Sequence, residues 1–292
     1  MLNVIGFIII FGCVFGGYAL AGGKMSVVLE ALPHELLTIG GATIGALLVG
    51  NQMNIVKQCG TGIVRVFKAP RFQRKEYTQL LCLMFELLMT FRKGGATVLE
   101  PHLDAPKDSN IFTRYPAVLA DHHLCDFICD YLRLMTLNFE DPNQLSEVMD
   151  NDIARIHEEE LGPHMSLQTV ADALPAIGIV AAVLGVIKTM GSIDQPVNIL
   201  GAMIGGALVG TFLGVLLSYC VVGPLSQKLK QIVELEGLSF SVAKTAIIAY
   251  ANKLAPPVAI EIARRMAPGV YAPSFTELDA ELETVRSEMN AK

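Results

Sequence analysis

The chain has 292 residues, of which 52% are hydrophobic and only 17% charged, with a mean hydropathy of +0.48. Soluble domains carry roughly 25% charged residues, so this composition excludes an ordinary soluble domain, along with disorder and a collagen-like repeat. A formal net charge of −6 gives no reason to expect nucleic acid as a partner.

Crossing the hydrocarbon core takes about 20 apolar residues in a helix, because every backbone polar group must be satisfied within the segment. Residues 2–21 carry no charge and are long enough. Ala19, Leu20 and Ala21 resemble a small-x-small cleavage site, but a signal peptide opens with a basic region and a shorter apolar core. Here the first Lys is Lys24, so an uncleaved span is expected. The apolar run 36–50 reaches a span if it starts near Pro33 and ends near Gln52. Residues 80–91 (LLCLMFELLMTF) are too short to span and are interrupted by Glu86. Their apolar residues recur at helical spacing, which predicts a core or partner-binding helix ended by Gly94 and Gly95. A third span runs from Ala173 to Ile187, between Asp172 and Lys188, and a fourth over the uncharged stretch 199–223.

The expectation is an all-α, polytopic membrane protein with four transmembrane helices grouped two and two. Its parts are helices 1 and 2 in 1–52, a polar helical region 53–169, helices 3 and 4 in 170–224, and a helical tail 225–292. Residues 51–169 hold 12 cations and 225–292 hold 8, whereas Lys24 alone lies between the first two spans and none between the last two. Positive loops stay in the cytoplasm, so both termini and both polar regions are expected there.

Nineteen of the 26 glycines fall in 1–50 or 170–224, with Gly206, Gly210 and Gly214 in one line. Helices associate in lipid through small residues that let backbones touch, which predicts tight packing, here between subunits. No Asp, Glu or His is expected deep in the spans, although an intramembrane proton carrier normally needs a titratable group there. The third and fourth spans offer Pro175, Thr189, Thr211, Ser218 and a terminating Pro224 instead. A hydroxyl can pass or coordinate an ion but not store a proton, so any ionisable group must come from a partner. Pro175 frees a backbone carbonyl near Ala171 and marks a bend or a helix start. For Thr211 the simpler reading is a hydroxyl bonded back to its own helix.

In the polar regions, Arg65, Lys68, Arg71, Arg74 and Lys75 form a basic cluster suited to anionic membrane lipid. The acids at 150, 152 and 158–160 read as a solvated helix face. RKGGATVLE, residues 92–100, places Arg92 and Lys93 on one side of a Gly-Gly turn and Glu100 on the other. They read as surface charges that can meet complementary charges of another protein. The six cysteines lie in spans or on the reducing side, so no disulfide is expected. His122, Cys125 and Cys129 share a helix face, but zinc sites want paired short motifs and no second pair exists. No phosphate-binding loop, nucleophile elbow or zincin motif occurs, so no enzyme is expected.

VFGGYALAGG (14–23), IGGATIGALLVGN (39–51), RKGGATVLE (92–100), IFTRYPAVLAD (111–121), DFICDYLRL (126–134), ADALPAIGIVAAVLGVI (171–187), ALVGTFLGVLLSY (207–219) with Pro224, APPVAIE (255–261) and PSFTELD (273–279) follow one another along the chain. In this order they resemble the MotA family of flagellar motor stator subunits, in its long proteobacterial form. The resemblance implies a homopentameric ring in the bacterial inner membrane, at the flagellar basal body. The ring would surround two helices of a MotB-like, single-span partner that supplies an intramembrane Asp. Ion flow would then rotate the ring against the rotor switch protein FliG.

Carried over, Arg92 and Glu100, with Lys93 beside them, would engage the rotor. Pro175 and Pro224 would couple ion passage to conformational change, and Thr211 would line the pore with Ala182 and Thr189. Ala182 stands where proton-driven members tend to have Ala and sodium-driven ones Thr, which favours protons, with no cofactor. The nearest rival is an energiser of the TolQ and ExbB kind. Those usually have three spans and lack the RKGGATVLE block. A non-conducting structural membrane oligomer is the other alternative.

Overall fold

The structure is a computed structural model and describes residues 2–291 apart from 69, 138 and 140. Among the described residues it is entirely helical. In chain order the α-helices are α1 (Leu2–Leu20), α2 (Met25–Gly50), α3 (Met53–Val66), α4 (Arg74–Asp104), α5 (Pro116–Leu119) and α6 (His122–Thr136). They continue with α7 (Pro142–Met190), α8 (Val197–Leu217), a π-helical turn (Ser218–Val222), α9 (Gly223–Ala251), α10 (Pro256–Arg264) and α11 (Phe275–Ala291). The chain divides into two compact units, Met1–Ala69 with Leu161–Gln231, and Pro70–Glu160 with Ile232–Lys292. The two polar stretches that are separate in sequence thus share one unit.

Four helices are long and apolar enough to cross a membrane, α1, α2, α7 and the continuous stretch Val197–Ala251; the first unit holds α1, α2 and the parts of the other two within 161–231. Its outer face exposes Ile5, Ile8, Leu37, Val49, Val180 and Leu208, a surface that needs lipid rather than water. Inside, close approach replaces bulk. A methyl on Gly178 would lie 2.8 Å from the Gly210 carbonyl oxygen, and one on Gly214 would lie 2.6 Å from that of Leu174. Gly185 faces Ala207 in the same way. The line of glycines therefore packs α8 on both α7 and α2 within one chain, Gly214 at Leu174 and Gly178, Gly210 at Ala181 and Glu35, and Gly206 at Ala31. Gly12, Gly16, Gly41 and Gly45 meet no atom of the chain within 4 Å and remain open to neighbours. Ile39, Leu174, Ala181 and Leu213 form the small apolar core, and Phe15 meets Phe212 edge-on at 6.0 Å.

Short hydrogen bonds lock the ends of this bundle. The Asn3 amide donates to the last carbonyl of α3, that of Val66 (2.9 Å), and Ser166 donates to Asn51 (2.6 Å). Ser226 and His164 are mutually bonded through side chains and main chain and link α9 to α7.

In the second unit α4 is the central helix. Tyr77, Leu80, Leu81, Leu83, Met84, Phe85, Leu87 and Leu88 are all buried, as expected of a helix surrounded by others. Glu86 is buried among them and is satisfied by Arg114 and by the Tyr115 hydroxyl at 3.2 Å. α6 and α10 pack on α4, and α11 adds Leu278, Leu282 and Val285 at helical spacing. α11 starts at a Ser274–Glu277 capping box, and Asp121 caps α6 through the Leu124 N–H.

Candidate functional site

The first part of the site lies between α2, α7 and α8. α2 begins at Met25, eight residues before Pro33, so Glu30, His34 and Glu35 ride within a membrane-length helix. The helix therefore starts before the expected span, and all three residues lie in its first half. The expected span starts near Pro33, but the helix runs through it, and a proline inside a transmembrane helix is tolerated when neighbours re-satisfy the freed backbone. Glu35 lies ten residues along the helix, and its Oε2 is buried with no hydrogen-bond partner. A methyl on Gly210 would come within 2.5 Å of that oxygen, so the glycine is what admits the carboxyl.

Glu35 lines a cavity of about 620 Å³ together with Glu30, His34, Lys188 and Thr189. Thr189 is buried and donates to its own helix at the Gly185 carbonyl (2.9 Å), which leaves its oxygen free to accept. Ala182 is buried about two helical turns before Thr189 on α7, and it does not line this cavity. Thr211 is half-buried on α8 and, among the described residues, has no hydrogen bond back to its helix. The structure thus brings Thr189 to Glu35 and leaves Thr211 and Ala182 outside that cavity.

Earlier along α7, one hydrogen bond answers the gap that Pro175 leaves. Pro175 has no N–H, so the Ala171 carbonyl lacks its helical donor. Ser218 fills that role from the neighbouring helix, its hydroxyl donating to Ala171 at 2.6 Å. Ser218 also opens the π-helical turn that leads through Gly223 to Pro224. A π turn within an α-helix widens the hydrogen-bond ladder by one residue and recurs at functional sites.

The second part of the site is the break at Gly95, whose φ of 68° and ψ of −164° separate two helical segments of α4. Arg92 and Lys93 precede the break and Glu100 follows it, all exposed. Lys93 is engaged within the chain, donating to Asn290 of α11 at 3.1 Å. Among the described residues Arg92 and Glu100 have no ion pair. Arg92 lines a groove with Phe91, Tyr250 and Lys253. Burial pushes the Tyr250 hydroxyl up, and the Arg92 charge pulls against it. Lys253 was not anticipated; its signal lies in the backbone, where a φ of 65° costs an L residue about 1–2 kcal/mol.

Elsewhere the structure reassigns charges read from sequence. Arg71 approaches Asp121 and Glu236, and Arg74 pairs with Glu277 at 3.4 Å, so part of the basic cluster is turned to acids of its own unit. Asp150 meets Lys244 at 2.5 Å, and Arg155 joins Asp152 to Glu159. His122 is exposed whereas Cys125 and Cys129 are buried, and among the described residues no three such groups converge as metal ligands.

Residues 4–95 match the family described as motility protein A N-terminal, and residues 120–241 match the MotA/TolQ/ExbB proton channel family. The motility protein A of Salmonella typhimurium is 38% identical over 98% of this chain and 97% of its own length, and that of Escherichia coli is 37% identical over the same shares. The chemotaxis protein LafT of Vibrio parahaemolyticus is 37% identical over 96% of this chain and 97% of its own. The fold is shared with the C. jejuni MotAB structure (TM-score 0.70, 19% identity, 91% of this chain and 95% of that one). It is shared as well with the flagellar MotAB stator complex of Bacillus subtilis (TM-score 0.67, 21% identity, 88% and 92%). With two family matches in sequence and near-complete alignment to three curated relatives, this chain belongs to the motility protein A family within the MotA/TolQ/ExbB proton channels.

Proposed function

We propose that this chain is the membrane-ring subunit of a flagellar motor stator, which turns ion flow into torque on the rotor. Five copies would form the ring in the bacterial inner membrane, with both termini in the cytoplasm, around two helices of a MotB-like partner. That partner brings an intramembrane Asp, and the coupling ion is the proton. Thr211, Ala182 and Thr189 serve the ion path, Pro175 and Pro224 the conformational step, and Arg92 and Glu100 the contact with the rotor switch protein FliG.

The observation that carries the reading is the alignment with motility proteins A over 98% of the chain. The geometry supports it: two opposite charges, unpaired within the described chain, stand on either side of a fixed backbone break, on a unit whose own core is complete. Lys93, held by Asn290, is the lesser rotor contact of the three.

The test is complementation of a non-motile strain lacking the chromosomal gene. Arg92→Glu with Glu100→Lys should abolish swimming while membrane insertion and partner co-purification persist. Loss of assembly in that double variant would make the two residues structural. Swimming should survive removal of sodium, and a speed that tracks external sodium would overturn proton drive.

A further inference from the structure

The groove beside Arg92 carries a second cation in a conformation that its residue type disfavours. After α9 the Leu254 N–H donates to the Ala249 carbonyl (3.2 Å) and the Lys253 N–H to that of Tyr250 (2.8 Å). This six-to-one and five-to-two pair is a Schellman turn, and it sets Lys253 at the left-handed position that such turns usually give to glycine. Lys253 is the one non-glycine residue with positive φ among those described. Its side chain is exposed and, like that of Arg92, has no ion pair among the described residues.

Both cations line a groove of about 410 Å³. Phe91 and Tyr250, with ring centroids 5.7 Å apart, form part of its wall, and Met135 and Phe139 extend the apolar lining. A backbone outlier held at a charged surface points to function rather than to packing, because glycine there serves the fold better. Two cations in a groove walled by aromatic rings suit a carboxylate with an apolar neighbour. The cations pair with the acid, and the rings accept the neighbour.

We propose that Lys253 and Arg92 form a two-cation seat for a carboxylate on an acidic face of the rotor protein, with an apolar side chain of that face resting on Phe91 and Tyr250. The proposal rests on the rotor-facing reading of Arg92. A carboxylate held between two cations resists sideways displacement, which one exposed arginine cannot do alone. It also gives a role to a lysine at a position where the turn favours glycine.

The test uses the full chain with its stator partner, in cells that carry the rotor. Lys253→Gly relieves the backbone, and Lys253→Asn keeps a residue that tolerates the left-handed region. Both variants should preserve or raise the melting temperature of the purified stator and still slow motors that turn a loaded bead. Lys253→Glu should stop them, and a rotor acid replaced by Lys should restore rotation to that variant. Lys253→Gly motors that drive loaded beads at the wild-type speed overturn the seat, as does a lowered melting temperature in both Lys253→Gly and Lys253→Asn. Arg92→Glu separates the two failures: if it stops the motor while Lys253 variants run normally, the rotor-facing reading stands without the seat. If Arg92→Glu also runs normally, both fall.

Discussion

The Ser218 hydroxyl donates to the carbonyl of Ala171, and that carbonyl is the one Pro175 leaves without an N–H. A bond of 2.6 Å from α8 thus completes a gap in α7. The donor is also the first residue of the π-helical turn before Pro224. The hydroxyl that answers the gap at Pro175 thus stands six residues before Pro224 on one continuous helical stretch.

Ser218→Ala removes that donor and leaves a carbonyl unpaired in an apolar bundle. Side-chain hydrogen bonds between membrane helices contribute about 1–2 kcal/mol at most, so the ring should still assemble, with a lowered melting temperature. Motor speed should fall more than assembly does. Ser218→Thr keeps a hydroxyl and should recover part of the loss. Equal speed in Ser218→Ala and wild type would show that the bond is structural only.

Glu35→Gln tests the carboxyl that the bundle holds against Gly210. Gln has the same length but neither charge nor a transferable proton, so the helix should insert and pack as before. If Glu35 serves ion passage with Thr189, swimming speed and stator proton flux should both fall. A packing role predicts the reverse ranking: Gly210→Ala, which pushes a methyl toward Oε2, should then harm motility while Glu35→Gln does not.

The four spans were legible because length and apolar content alone decide what crosses a bilayer. The start of α2 was not, because Pro33 reads as a boundary and nothing local reveals that the helix continues through it. Glu35 lies two residues past that boundary, and its burial against Gly210 shows only in the structure. The glycine line of α8 was legible as close packing, but its partner was not: Gly178 and Gly214 face each other across 36 residues of sequence, and spacing does not say which helix fills the groove. Arg92 and Glu100 were found through motif resemblance, whereas Lys253 shows only in a φ angle. Glu86, read as an interruption of an apolar run, has its explanation in Arg114 and Tyr115, about 30 residues away.

Arg114→Ala should destabilise the polar unit strongly. Glu86 is 3% exposed, and Arg114 joins it to Glu288 of α11, with a 2.7 Å contact on the Glu288 side. Removing one partner of a buried pair leaves an uncompensated charge, a loss of about 3–5 kcal/mol. Glu86→Gln in the same chain should recover much of it, since a neutral amide needs no cation. The check is a double-mutant cycle read by thermal melting, and strict additivity of the two substitutions would refute the coupling.

Acid should loosen α10 before it harms the rest of the polar unit. Glu261 accepts two hydrogen bonds from Arg264, at 2.7 and 2.8 Å, and lies 3.6 Å from Arg265. Those bonds from Arg264 hold its carboxyl below the ordinary value of 4.5. A carboxylate with a lowered folded-state pKa stabilises the fold above its unfolded-state pKa, and the contribution is lost as pH falls through the folded value. The stabilising effect is therefore complete near neutrality and declines only below about pH 4–5. Arg264 also donates to the Pro273 carbonyl at 3.0 Å, just before α11 starts, and α11 carries the Asn290 that holds Lys93. Amide hydrogen exchange in α10 and the start of α11 should accelerate between pH 5 and pH 3, after correction for intrinsic rates. Glu261→Gln should show the faster exchange at every pH with that step removed. A step of unchanged size in Glu261→Gln would place the acid sensitivity on another carboxylate, of which Glu277, lowered by hydrogen bonds from Ser274, is the nearest in sequence.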